Sequence, residues 1–148
     1  MTTLNALVRA WGQYLTDLFD WKQLVQGVEP VANSYGLQYK IRNPLGRYNE
    51  SLTIVDMSSL RLSEPHRYLA ELEVYFVLQG SGKMIVGGER LSLLPYGVVV
   101  VPPGVLSVIR SYGSLVLAIV HTPLPNPANH IRLGYHDPEV RAAVALLS

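Results

Sequence analysis

The sequence predicts an all-β protein, a closed barrel or jelly roll, with a helical extension before it and a short helix after it. Three observations lead there. Leu37, Tyr39 and Ile41 alternate with Gln38, Lys40 and Arg42, the period of a strand with one wet face. Short apolar runs then follow one another, separated by Asn43-Pro44-Leu45-Gly46, Gly80-Ser81-Gly82, Gly87-Gly88 and Pro102-Pro103-Gly104. Finally, 148 residues with 49% hydrophobic content suffice for one core and not several.

Taken in order, Leu4, Leu7, Val8, Trp11, Tyr14, Leu15 and Leu18 recur at helical spacing and predict an amphipathic helix. Asp20 with Gln23 resembles a capping box for a second short helix, Trp21 to about Gln26, stopped by Gly27 and Pro30. Residues 1–36 therefore form the helical extension and 37–148 the barrel with its C-terminal tail. Leu37–Arg42, Leu52–Met57 and Val74–Leu78 read as strands, and the glycine pairs read as turns around Lys83–Val86. Val98–Val101 is four valines in succession, which calls for cover on both faces, from the N-terminal region or a second subunit. Leu115–Val120 follows the expected turn Ser111-Tyr112-Gly113, and Asp137 with Pro138 opens the closing helix.

Composition excludes several classes of function. The net charge is +1 and the Lys and Arg residues are scattered, so nucleic acid is not an expected partner. With no cysteine there is neither a disulfide framework nor thiolate chemistry. No run approaches the roughly 20 apolar residues of a membrane span, and residues 1–10 lack the pattern of a secretory signal, so a soluble, cytoplasmic protein is expected. Charged residues make up only 16%, which suggests a homodimer that covers part of the apolar surface.

The spacing His66-Arg67-Tyr68, four residues, Glu73, six residues, Gly80, and then Pro102-Pro103-Gly104, two residues, Ser107, three residues, Ser111, resembles the two motifs of the cupin superfamily. The family carries two histidines in its first motif and one in its second; here Tyr68 and Ser107 stand where two of the three belong. Leu60 and Tyr96 occupy the positions where glycine usually opens each motif. The resemblance implies a cupin double-stranded β-helix. It also implies a barrel interior where His66 and Glu73 are the candidate ligands of a divalent ion such as iron, manganese, nickel or zinc, bound weakly because the set is incomplete.

Two arrangements follow from the residues. In one, a metal sits on His66 and Glu73 with help from Tyr68 or His121; in the other, His66 and Glu73 are a buried hydrogen-bonded pair that contacts an organic ligand. Alternation puts Tyr75 on the face of Glu73, so Tyr68, Tyr75 and Ser107 are the candidate ligand-binding residues. Arg47, Arg61 and Arg110 are candidates for an anion at the mouth, His130 and His136 read as solvated, and Glu71 reads as outward or bulged with no role. The expected function is binding of a small molecule, a sugar or carboxylate derivative. The alternatives are a metal-dependent isomerase or dioxygenase, where the sugar-phosphate isomerase branch implies proton transfer by Glu73 and orientation by Tyr75, and a non-catalytic structural or regulatory dimer.

Overall fold

The computed structural model describes residues 20–42, 51–122 and 126–148, and the sequence-predicted helix over Leu4–Leu18 lies outside them, as does Arg47. In chain order the elements are α1 (Trp21–Leu24), β1 (Val31–Asn33), β2 (Gly36–Arg42), β3 (Ser51–Met57), β4 (His66–Tyr68), β5 (Leu72–Val86), β6 (Glu89–Leu93), β7 (Val98–Val101), β8 (Ser107–Thr122), β9 (His130–Arg132) and α2 (Pro138–Leu146). Every strand pairing is antiparallel.

Two long strands, β5 of 15 residues and β8 of 16, belong to both walls of the barrel. Their outer halves pair from Leu72↔Thr122 to Gly80↔Leu115, and β3 and β7 extend this wall on either side. Their inner halves pair from Gly82↔Ser111 to Val86↔Ser107, and β6 and β4 flank them to make the second wall. Between the halves the register slips, at Val77/Gln79 and again at Gly80/Gly82. Extra residues bend a strand and increase its twist, which folds one ladder into two facing walls.

Gly80-Ser81-Gly82 and Ser111-Tyr112-Gly113 are thus not the turns their composition suggests. Each lies inside a continuous strand, because the glycine conformations that make turns also make bulges. Gly80 has φ +86, and a Cβ there would sit 1.9 Å from the carbonyl oxygen of Ser114 on the paired strand. Gly87-Gly88 is a true two-residue turn between Val86 and Glu89, both glycines having positive φ.

Leu60 and Tyr96 have φ of +55 and +71 and are the non-glycine residues with positive φ among those described. These are the two positions where the sequence lacks a motif glycine. The backbone keeps the left-handed turn although the side chain disfavours it.

Three apolar layers result. The barrel interior is filled from both walls by Val55, Met57, Tyr75, Val77, Met84 and Leu117 with their neighbours. On the outside of the first wall, Trp21 packs with Leu52, Ile54, Val116, Ala118 and Val120. On the outside of the second wall, Val140 and Ala143 of α2, with Leu147 at its C-cap, cover Ile85, Leu106 and Val108. The α2 start is as expected: the Asp137 carboxylate accepts hydrogen bonds from the Glu139 and Val140 amides, at 2.9 and 3.4 Å, with Pro138 in the first turn. The α1 start is not, since Asp20 makes no side-chain cap and the helix ends at Leu24.

The valine run has one face on the barrel; the cover expected on the other, from the N-terminal region or a second subunit, lies outside the described residues. Val99 and Val101 face the barrel and are buried, but Val98 and Val100 are 57% and 51% exposed. Strand β7 pairs with β5 alone and is an edge strand, and the exposed Val98 and Val100 leave its outer face uncovered among the described residues. No helix of the described residues is long and apolar enough to cross a membrane.

The paired bend makes a specific demand. Gly80→Ala should destabilise the protein by about 2 kcal/mol or more, since it adds an unfavourable φ to a clash with ladder backbone. Gly113→Ala, with nothing within 4 Å of its Cβ, should change stability by less than about 0.5 kcal/mol. Urea denaturation of both variants checks this; equal effects would remove the bend from its structural role.

Candidate functional site

A cavity of about 650 Å³ opens between the two walls. From the first wall β5 contributes Glu73 and Tyr75, β8 contributes Ile119 and His121, and β3 contributes Thr53 and Val55. From the second come His66 and Tyr68 on β4, Ser107 and Ile109 on β8, and His130 and Arg132 on β9. The β1–β2 hairpin also borders the cavity, through Val31, Asn33 and Tyr35. There the Asn33 side-chain oxygen accepts from the Tyr35 and Gly36 amides, at 3.2 and 3.0 Å, and holds Tyr35 at the mouth.

Register brings the polar groups together. Glu73 is paired with His121 on one side and Val101 on the other, while His66 is paired with Ser107 and Arg132. The Glu73 carboxylate is buried and receives three donors. Tyr75 donates its hydroxyl at 3.0 Å, His121 Nε2 lies at 3.0 Å, and His66 Nε2 lies 3.3 Å from Oε1. His66 Nδ1 is 2.9 Å from the Glu64 carbonyl oxygen, an acceptor only, so Nδ1 carries a proton and Nε2 is turned toward Glu73. His121 Nε2 donates to the carboxylate, and its Nδ1 is buried with no partner.

The energetics of this cluster follow from competing effects. Burial raises the pKa of Glu73, but the hydrogen bonds from His121 and His66 and the charges of both rings outweigh it, and the carboxyl is held down at about 2. Burial likewise lowers His66, yet the hydrogen bond and charge of Glu73, aided by Glu64, raise its pKa above the usual 6.5. Tyr75 is pushed well above 10 by burial and then by the Glu73 charge, and Tyr68 is raised to about 12 by burial, Glu73 and Glu71. Both phenols are therefore neutral donors.

An aromatic surface lies beside the carboxylate. Tyr68 stacks on His130 with centroids 4.5 Å apart and planes at 8°, and it meets His121 edge-on at 4.9 Å. His66 stands edge-on to His130 at 5.1 Å. Burial, then the charges of His66 and Arg132, depress the pKa of His130.

The structure thus gathers His66, Tyr68, Glu73, Tyr75 and Ser107 in one cavity, from both of its walls. Other expectations change. His121, left open by the sequence, points inward onto Glu73. His130, read as solvated, lines the cavity, whereas His136 is exposed. Glu71, read as outward or bulged with no role, is 1% exposed and accepts from Asn129 Nδ2 at 2.8 Å. Arg61 and Arg110 do not line the cavity; the arginine that does is Arg132, with its Nε 3.1 Å from Glu64. The period-two alternation that identified Tyr75 also places Glu71 inward. The 130–132 segment carries too short a pattern to read as a strand.

The cupin metal set is three imidazoles and one carboxylate, and at the motif positions this chain keeps one of those imidazoles, His66, with Glu73. Tyr68 is held neutral and Ser107 is a weak donor. His121 and His130 also line the cavity, but His121 Nε2 is turned onto Glu73 and the His130 ring is stacked on Tyr68. Among the described residues no group of three His, Asp or Glu side chains is arranged to hold a metal ion.

Glu73→Gln should cost about 1–3 kcal/mol of stability near neutral pH, since it leaves two imidazoles short of an anionic partner. The sign with pH follows from the depressed carboxyl. Its contribution is full above the unfolded value near 4.5 and fades as pH falls toward about 2, so the gap between the two proteins should close over that interval in acid titrations of thermal stability. A gap independent of pH would show that Glu73 acts by packing alone.

Neither a protein-family model nor a curated protein sequence matches the chain. Solved structures do match. A cupin-2 domain protein from Rhodospirillum rubrum superposes with TM-score 0.60 at 20% identity, over 82% of this chain and 90% of that one. The Streptomyces protein PAC13 with uridine gives TM-score 0.64 at 13% identity, over 74% and 88%. The oxalate decarboxylase of Lactobacillus farciminis gives TM-score 0.64 at 20% identity over 74% of this chain, which spans only 34% of that enzyme. The bent, two-walled antiparallel barrel and these superpositions lead to one conclusion: the chain has the cupin fold.

Proposed function

We propose that this protein is a small-molecule-binding cupin, cytoplasmic and homodimeric, whose ligand is a sugar or carboxylate derivative seated in the cavity against Tyr68, Tyr75 and Ser107. The observation that carries this reading is the 650 Å³ cavity with a fully hydrogen-bonded carboxylate at its base and phenols and imidazoles on its walls. A largely apolar enclosure with a few convergent polar groups is the profile of a small-molecule site. The exposed Val98 and Val100 on an edge strand support the homodimer.

A second, catalytic reading is favoured by the cluster around Glu73. Two imidazoles of fixed orientation on one carboxylate form an arrangement suited to moving a proton without a metal: His66 faces the cavity, Glu64 and Glu73 fix its orientation, and Tyr75 keeps the carboxylate in place. PAC13, one of the structural neighbours, is described as a nucleoside dehydratase. In that reading the substrate takes the place of Glu73 at His66 Nε2 and exchanges a proton there, while Nδ1–H stays on the Glu64 carbonyl and the nearby Glu73 charge stabilises the imidazolium.

Two measurements test these readings. Titration with sugars and sugar acids, followed by NMR of the Met57 and Ile119 methyl groups on the cavity wall, should give saturable shifts that Tyr75→Phe weakens several-fold. Unresponsive methyl groups across the panel would overturn the binding reading. Metal analysis of the purified protein should give well under one ion per chain, while the Tyr68→His, Ser107→His double variant should gain affinity for divalent metal by at least about 10- to 100-fold. Stoichiometric, chelator-resistant metal that His66→Ala abolishes would instead make a metal-dependent enzyme the leading reading.

A further inference from the structure

We infer that the cavity recognises a ligand carrying a single carboxylate, and that Arg132 is the residue that takes it. The inference rests on the binding reading above and narrows it to a substrate class.

The charges lining the cavity decide the sign of the ligand. Two carboxylates line it, Glu64 and Glu73, and both are already engaged: Glu64 by Arg132, and Glu73 by His66, His121 and Tyr75. Glu73, the buried one, is left with no cation to meet, and Glu64 meets Arg132 through Oε1. The same pair leaves part of the cation open. Glu64 occupies only Nε of Arg132, so the two terminal nitrogens of the guanidinium have no partner among the described residues. A guanidinium offers five N–H donors in a planar fork, and its terminal pair matches the two oxygens of a carboxylate. Lys40 also lines the cavity, from the opposite wall, and has no ion pair among the described residues.

Position supports the same assignment. Arg132 is paired with His66 across β4–β9, next to the Tyr68–His130 stack. Its charge acts on Tyr35, Tyr68 and His130, which surround the mouth. Glu64 ties the arrangement together, because its backbone carbonyl fixes the His66 ring and its side chain fixes Arg132. A ligand bound through Arg132 would therefore enter in a set orientation, its uncharged part directed inward toward Tyr68, Tyr75 and Glu73.

Charge balance favours carboxylate over phosphate. With the Arg132–Glu64 pair internally neutral, Lys40 is the one formal cation of the described lining without a counter-charge, and it matches one negative charge rather than the nearly two of a phosphate monoester.

The test uses matched probes on the intact protein: glucuronate against glucose, benzoate against benzyl alcohol, and glucose 6-phosphate as the dianionic arm, each followed by the Met57 and Ile119 methyl signals. The carboxylates should bind at least tenfold more tightly than their neutral partners. Arg132→Gln should abolish that preference. Arg67→Gln, which breaks the surface pair with Glu139 instead, should preserve it. Arg132 is largely exposed, so its variant should remain folded, and an unchanged melting temperature confirms this. Neutral probes that bind as tightly as the acids, or a preference that survives Arg132→Gln, would overturn the inference while leaving the binding reading standing. Tighter Arg132-dependent binding of glucose 6-phosphate would overturn the carboxylate assignment. If none of the five probes moves the methyl signals, the inference falls together with the reading beneath it.

Discussion

The shared bend in β5 and β8 is the constraint from which the rest of the molecule follows. A straight antiparallel ladder of this length would place Glu73 and His66 far apart on one open sheet. Because both strands fold over at the same level, with Gly80 pressed against the Ser114 carbonyl, the outer halves come to face the inner halves. The cavity is the gap left between them. His66, anchored on the second wall at Ser107, can then reach a carboxylate carried by the first. Cross-wall contacts of this kind exist only in the folded chain, and they couple the site to the integrity of the bend.

Glu73 illustrates how a buried charge is accommodated. Burying a lone carboxylate is unfavourable by several kcal/mol. Here donors arrive from β4, β5 and β8, and together they reverse the effect of burial, so that the carboxylate is more acidic than in water. The two substitutions in the motif positions suit this state. With Tyr68 and Ser107 in place of imidazoles, the neighbourhood supplies neutral donors and an aromatic face, and His66 and His121 are free to serve the carboxylate.

Much of the barrel was legible in the sequence. Alternation through Leu37, Tyr39 and Ile41 marked β2, and the Leu52–Met57 run marked β3, because each has a distinct inner and outer face with water or a helix on one side. The motif spacing located His66 and Glu73 and, through period two, Tyr75. What was not legible depended on tertiary placement. Gly80-Ser81-Gly82 carries the same local signal whether the chain reverses or merely bends, and only the partner strand decides. Val98–Val101 gives no local sign that β7 pairs on one side only, since strand pairing is not written in the pattern of one strand. His121, His130 and Arg132 belong to strands remote from the motifs, and their arrival at the cavity is set by register over long sequence separations.

The left-handed turns at Leu60 and Tyr96 carry a consequence for how the chain folds. At Gly87-Gly88 the residues prefer the conformation the hairpin requires, so that turn can form from local sequence alone. At Leu60 and Tyr96 the side chains oppose the required backbone by about 1 kcal/mol or more each. Neither can act as a nucleus; each is imposed by walls that are already assembled. The β5–β6 hairpin is therefore the turn that local sequence favours, and the two motif turns depend on the walls that hold them.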